Sequence, residues 1–269
     1  MDISDIYGKR AAWSKKGDFG KLLVVGGSKD YSGSPVFNAL AAYRAGCDLV
    51  KIAAPEKAAK IAKGYKPDMI AFPLSGDYLS EEHVPKIMKM QQACDAMVIG
   101  GGLTRNKPVL EAVSMILKKT KKPTVVDADA LHVVKARLNK NFLLTPHTHE
   151  FCVLGGKKLK TDVKERASET KKMALKLSCT VLLKGHIDVV SDGKNIHLNK
   201  TGSVYMTKGG FGDTLAGICG ALLARGLPAY DAACIAAKIN GLAGSLAAEK
   251  RREGVLASDL IDEIPNVIR

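Results

Sequence analysis

The sequence predicts an α/β protein: helices on both faces of a mostly parallel sheet, closed at one side by a small antiparallel edge. Two observations carry the prediction. Short β-branched runs alternate with longer amphipathic stretches almost from end to end, and several runs (LLVV, MVI, VV, VLL) are apolar without a break. Unbroken apolar runs suit strands buried on both faces of a parallel sheet, where side chains of either parity meet a helix layer. A third feature, Asp192-Gly193 between two short runs, is a hairpin signal and supplies the antiparallel edge.

Taken in order, strands are expected at 22–25, 48–53, 69–72, 96–100, 124–127 and 142–145, with helices at 81–92, 107–119 and 162–177 between them. This order implies βαβ units with right-handed crossovers. Three strands then follow closely, at 180–184, 187–191 and 196–198. The end is helical, at 213–225, 228–251 and 258–264. No repeat, linker or composition break divides residues 1–269, so one domain is expected.

Composition narrows the classes. The 269 residues carry 41 Lys+Arg against 27 Asp+Glu, a formal charge of +14, with 46% hydrophobic and 25% charged residues. That apolar fraction excludes disorder for most of the chain. The longest apolar stretch, 214–224, falls well short of the ~20 residues a bilayer-spanning helix needs. The N-terminus MDISDIYGKR has no apolar signal region, and a cytoplasmic location is expected. Cys47, Cys94, Cys152, Cys179, Cys219 and Cys234 contain no CxxC pair and read as reduced core residues. Lysine runs at 118–122 and 157–160 have no interleaved aromatics, which argues against a base-stacking surface. They read as solvated surface with a general pull on anions, and no nucleic-acid partner is expected.

In open α/β sheets ligands collect at the carboxyl ends of the strands. The loops expected there are Gly26-Gly27-Ser28, Gly100-Gly101-Gly102, Asp127-Ala128-Asp129, Thr145-Pro146-His147 and Lys184-Gly185-His186. The sharpest element is Gly209-Gly210-Phe211-Gly212-Asp213, just before a helix whose Leu215, Ile218, Cys219, Leu222 and Leu223 form one apolar face. Gly217 and Gly220 would let that helix approach its neighbours closely. A glycine-rich turn opening a helix offers unpaired N–H groups to an anion, here with Asp213 beside them as a base. Asp213 as a plain helix cap would not require three glycines in the preceding four residues. Residues 27–34 lack the Gly-Lys-[Ser/Thr] ending of a P-loop, and neither HExxH nor GxSxG occurs. His147, at a strand end, is a candidate binding residue; His83, His132 and His197 read as surface or satisfied side chains.

Read together, GKLLVVGGS (20–28), AAYRAGCDLV (41–50), VIGGGL (98–103), VVDADAL (125–131), LTPHTHE (144–150), VLLKG (181–185) and KGGFGDTLAG (208–217) resemble the ribokinase-like superfamily. Within it the chain is similar to the ADP- or ATP-dependent NAD(P)H-hydrate dehydratases. The resemblance implies a ribokinase-like three-layer αβα sandwich. It implies that Asp213 activates the substrate hydroxyl and that the amides of Gly209, Gly210 and Gly212 form an anion hole. Ser34, Gly102, His147 and Asp213 would contact hydrated NADH or NADPH. Lys184, Gly185, His186, Ile187, Asp188 and Gly212 would hold the adenine nucleotide, with Mg²⁺ bridging phosphates through ligands the sequence does not name. Phe211, Thr148-His149, Asp188, Ser34 and Gly101 depart from the family's usual Ser/Thr, Pro-Gly, Thr, Ala and Pro.

The implied reaction is phosphorylation of the hydrate's C6 hydroxyl by ADP or ATP, then phosphate elimination to restore NADH or NADPH. The family further implies a homo-oligomer, commonly a tetramer. The epimerase domain sometimes fused ahead of this unit is expected to be absent, with a separate epimerase chain as partner. Two alternatives stand beside it: a kinase for a sugar, hydroxymethylpyrimidine or thiazole alcohol, which would use the same Asp213 and glycine turn, and a non-catalytic nucleotide- or nucleic-acid-binding protein, motivated by the +14 charge and Phe211.

Overall fold

The computed structural model describes residues 2–269. Nine strands form one sheet: β1 (Lys21–Val25), β2 (Leu49–Pro55), β3 (Ile70–Leu74), β4 (Ala96–Ile99), β5 (Thr124–Val126), β6 (Phe142–Leu144), β7 (Thr180–Leu183), β8 (Asp188–Ser191) and β9 (Ile196–Asn199). Their spatial order is β3-β2-β1-β4-β5-β6-β7-β8-β9. Every pairing from β3 across to β7 is parallel; β7–β8 and β8–β9 are antiparallel. The β8–β9 turn is built on Asp192-Gly193, with Gly193 at φ +90°, as its sequence requires.

Strand parity sorts the core into two layers. Leu22 and Val24 of β1, Ile52 of β2 and Val98 of β4 face α1 (Gly33–Arg44), α2 (Glu56–Tyr65), α7 (Phe211–Ala224), α8 (Ala229–Arg251) and α9 (Ala257–Val267). Leu23, Val25, Met97 and Ile99 face the opposite layer, which holds α3 (Val84–Gln92), α4 (Lys107–Lys119), α5 (Thr148–Val153) and α6 (Val163–Leu177). Because both faces are covered, the strands needed no polar alternation, and the sequence reading of unbroken apolar runs is borne out.

Several boundaries differ from expectation. Helices α1 and α2 were not among the expected elements: α1 buries a mixed set, including Val36, Asn38, Leu40 and three alanines, with little contrast between its faces, whereas α2 buries only Ala58, Ala59 and Ala62. Strand β3 runs on through Pro73, tolerable because β3 is an edge strand. Helix α9 continues past 264 and carries Pro265 inside it. The largest correction concerns α7. It begins at Phe211, two residues before the expected start, and is buried almost all round rather than on one face. Gly217 lies against the Asn38 carbonyl of α1, and Gly220 against Val98 and Leu22 of the sheet, so a β-carbon at either would collide. Small residues on both sides let α7 sit between α1, α8 and the sheet.

All six cysteines are free thiols, four of them buried. Burial pushes Cys47 and Cys179 up to about 12, so both are inert core residues. Among the described residues no helix is long and apolar enough to cross a membrane.

Candidate active site

The strand order reverses between β1 and β4: the chain steps outward from β1 to β3, then returns to β4 on the other side of β1. A crevice opens where the loops after these two strands diverge, the usual ligand position in an open α/β sheet. Here the loops are held together by glycine. The Gly27 N–H donates to the Gly101 carbonyl at 2.8 Å. Gly100, at φ +141°, passes so close to the Asp127 carbonyl that no side chain fits. Gly101 lies against Ser34 and Asp213, with a β-carbon there falling 2.8 Å from Asp213 Oδ1.

Helix α7 enters this crevice by its N-terminus. Gly210 is the N-cap, at φ +99°, and no side chain caps the helix. Asp213 is therefore in the first turn, not at the cap. Its carboxylate accepts a hydrogen bond from the Ser34 hydroxyl instead of turning back to the helix. Asn38 Nδ2 donates to the Asp213 carbonyl at 2.7 Å, fixing the turn to α1. The amides of Gly210, Phe211, Gly212 and Asp213 precede the first helical N–H···O bond, from Thr214 to Gly210. They stay available to an anion. The Phe211 ring is buried with the α1–α7–α9 core, so this position presents its amide, while the side chain packs.

Burial, with the Asp127 carboxylate nearby, pushes Asp213 up to about 6, against the lowering effects of Ser34 and Lys184. Lys184, at the end of β7, reaches Asp127 Oδ1 at 2.9 Å and Glu150 Oε2 at 3.8 Å. Burial alone would lower its ammonium; the two carboxylates outweigh that and hold it above the usual lysine range. Thr145 Oγ1 donates to the same Asp127 oxygen at 2.8 Å. Glu150 also accepts from the His147 N–H at 2.8 Å, while His147 Nδ1 accepts from the His149 and Glu150 amides. His147 is thus the cap of α5, and its ring is half-exposed. A β-carbon at Gly212 would lie 3.3 Å from Lys184 Nζ, so the ammonium stands beside the open end of α7.

A cavity of about 570 Å³ adjoins this cluster, lined by His147, Lys184, Gly185, His186, Asp188, Phe211 and Gly212 together with the 201–207 loop and Asn240. Most residues expected at a nucleotide site meet there. Ile187 does not; it lines a separate pocket beside α6. Gly102 is also outside the cavity, packed at φ +71° against Tyr31 and Gly27. Ser34 and Asp213 sit at the crevice, next to Gly101. Asp188 is engaged within the protein: its oxygens accept from the Gly185 amide and Asn199 Nδ2 at 2.9 and 3.1 Å.

A profile of the NAD(P)H-hydrate dehydratase family matches residues 22–266. The chain belongs to that family. The ADP-dependent (S)-NAD(P)H-hydrate dehydratase of Cenarchaeum symbiosum is 38% identical over 272 residues, covering 100% of this chain and 95% of that protein. The bifunctional NAD(P)H-hydrate repair enzyme Nnr of Pyrobaculum aerophilum is 44% identical over 271 residues, but the chain spans only 54% of its length. The chain thus spans about half the length of the bifunctional relatives it matches. Among solved structures, the Bacillus subtilis ADP/ATP-dependent NAD(P)H-hydrate dehydratase, co-crystallised with ATP/Mg²⁺, superposes with a TM-score of 0.81 at 26% identity, covering 98% of this chain and 94% of that one. A ribokinase-like superfamily protein of Enterococcus faecalis superposes with a TM-score of 0.87 at 20% identity, covering 99% of this chain and 92% of that one, and the ribokinase-like sandwich expected from the sequence is borne out as a fold.

Within this dehydratase family member, sequence reasoning had quoted but not assigned Asp127 and Glu150, the two carboxylates that hold Lys184. Asp127 was findable as an acidic residue directly after an apolar strand, and Glu150 as the third-position partner of a capping box with His147. Asn38 carried no signal, because its role depends on α1 lying against α7. Among the described residues no three His, Cys, Asp or Glu side chains gather as a metal cage.

Proposed function

We propose that this chain dehydrates hydrated NADH or NADPH at the expense of ADP or ATP, with Asp213 as base. What carries the reading is one juxtaposition: a carboxylate raised toward neutrality, a free helix N-terminus and a buried ammonium converge at the switch point of the sheet. Geometry and family membership support the same residues.

The hydrate's C6 hydroxyl would lie against Asp213, on the Ser34–Gly101 side, with the nucleotide in the large cavity and its terminal phosphate at the α7 N-terminus. Asp213 takes the hydroxyl proton as the oxygen bonds to the terminal phosphorus, and the bond from phosphorus to the nucleotide's bridging oxygen breaks. The amides of Gly210 and Gly212, with Gly209 at the turn, and the Lys184 ammonium meet the charge on the transferred group. Mg²⁺, when bound to the nucleotide's phosphates, would supply further neutralisation of their charge. Phosphate then leaves C6 with the bonding pair while C5 loses a proton, which re-forms the conjugated ring. Asp127 and Glu150 keep Lys184 charged and aimed. Lys184, Gly185, His186 and Asp188 border the nucleotide; Ser34 and His147 border the hydrate.

The name of the Cenarchaeum relative supports ADP as phosphoryl donor and the S epimer as substrate; the Bacillus relative is named ADP/ATP-dependent and was co-crystallised with ATP/Mg²⁺. A homotetrameric state and a cytoplasmic site of action, where reduced nicotinamide cofactors are used, complete the reading. The deciding experiment mixes purified protein with hydrated NADH or NADPH and either ADP or ATP, with Mg²⁺. Recovery of the reduced nicotinamide's near-ultraviolet absorbance with stoichiometric phosphate release is expected. A stable phosphorylated product without that recovery would replace the dehydratase reading with a kinase. Asp213→Asn should lower the rate by about 10²–10⁴-fold; a near wild-type rate removes Asp213 as base.

A further inference from the structure

Arg166, on the buried face of α6, is only 7% exposed, yet among the described residues no carboxylate lies within 4.0 Å of its guanidinium. Its recorded partners are neutral. Nη2 donates to the Lys184 carbonyl at 2.9 Å and Nη1 to Thr148 Oγ1 at 3.3 Å. The acidic group that acts on it from nearby, Asp188, already spends its oxygens on Gly185 and Asn199. Buried charges are ordinarily paired, because removing a guanidinium from water costs several kcal/mol unless an opposite charge offsets it. This one is not, and burial holds it below the usual arginine range.

Arg166 borders a cavity of about 360 Å³ between the start of α6 and the Gly185-His186 turn. The other polar groups around this space are of one kind. Lys160 brings a second cation, Thr148 and Thr161 bring hydroxyls, and His186 a ring N–H. No Asp or Glu side chain lines it. Leu159, Val163 and Ile187 close its apolar wall, which strengthens any charge interaction inside.

We infer that this cavity is a phosphate-binding subsite, distinct from the α7 anion hole, in which a phosphate dianion supplies the counter-charge that Arg166 lacks. A forked guanidinium, an ammonium and two hydroxyls match a tetrahedral oxyanion and offer nothing to a cation or to a neutral base. The site is coupled to the crevice by construction. Arg166 bonds the carbonyl of Lys184 on one side and the residue after His147 on the other, so an occupant would stiffen both loops. The inference does not require the dehydratase reading. The phosphate could be free orthophosphate or the ribose phosphate that distinguishes NADP from NAD.

Isothermal titration of the full-length protein with inorganic phosphate tests it, alongside Asp213→Asn, Lys160→Gln and Arg166→Met. A saturable site is expected in the wild type and in Asp213→Asn, weakened about threefold or more by Lys160→Gln and about tenfold or more by Arg166→Met. Should Arg166→Met fail to fold, Lys160→Gln together with Thr161→Ala keeps the test open, since both side chains are exposed. NADP⁺ competing with phosphate where NAD⁺ does not assigns the ribose phosphate; competition by neither assigns free orthophosphate. Absence of saturable binding in the wild type overturns the inference, as does binding that Lys160→Gln and Arg166→Met leave unchanged. So does binding that Asp213→Asn strengthens, because the ion would then lie beside that carboxylate in the crevice.

Discussion

Asp213 has a pKa raised to about 6 by burial, with Asp127 adding to it, and two consequences follow with opposite preferences for pH. As a base it must be ionised, so kcat/KM should fall as pH drops below about 6. For stability the sign reverses. Between pH 4 and 6 the native state binds a proton that the unfolded chain has lost, so folding stability declines as pH rises through that window. Replacing the carboxyl by an amide removes the penalty. Asp213→Asn should melt higher than wild type at pH 8, by as much as about 3 kcal/mol, and show no gain at pH 4, read by calorimetry at both pH values. Thr104 shows a different strain. It is a β-branched residue at φ +75°, and its buried Oγ1 has no hydrogen-bond partner. Both features cost free energy, and glycine relieves both at some loss of chain entropy. Thr104→Gly should therefore stabilise the fold by about 1 kcal/mol in urea titration.

At the scale of elements, α7 decides the architecture, and its glycines reverse the ordinary helix rule. Gly→Ala inside a helix usually stabilises by about 1 kcal/mol. At Gly220 the added methyl meets Val98 and Leu22 of the sheet, and overpacking should turn the gain into a loss of about 1–3 kcal/mol, measured as a lower denaturation midpoint. The same helix shows what the sequence could and could not say. Its glycine-rich start and Asp213 were legible because they break ordinary composition rules for a helix end. Its true start at Phe211 was not, since Gly210 caps it through a positive φ and leaves no side-chain signature. All nine strands were legible to within a few residues from apolar runs. Helix α1 was missed because its faces differ little in polarity, and α2 because only three alanines mark its buried side. Asp213, Lys184 and His147 are marked by motif, whereas Asn38, against α7, and Arg166, at the cavity beside α6, matter only through distant partners that the fold supplies.

For the whole molecule, the +14 charge has a kinetic reading. Nucleotides and dinucleotides are polyanions, and a positively charged body raises their encounter rate until salt screens it. Raising salt from about 50 to 500 mM should lower kcat/KM for the nucleotide several-fold and leave kcat nearly flat, in steady-state kinetics at fixed Mg²⁺.

Helix α7 is enclosed by α1, α8 and the sheet along its length, and the proposed base stands in its first turn. A catalytic group mounted on a mobile loop can be lost by local opening while the rest of a protein endures. Here the spine of the protein is also its workbench. Deuterium should reach the α7 amides beyond the first turn only when the entire chain comes apart, so heat inactivation and global unfolding should coincide at one temperature.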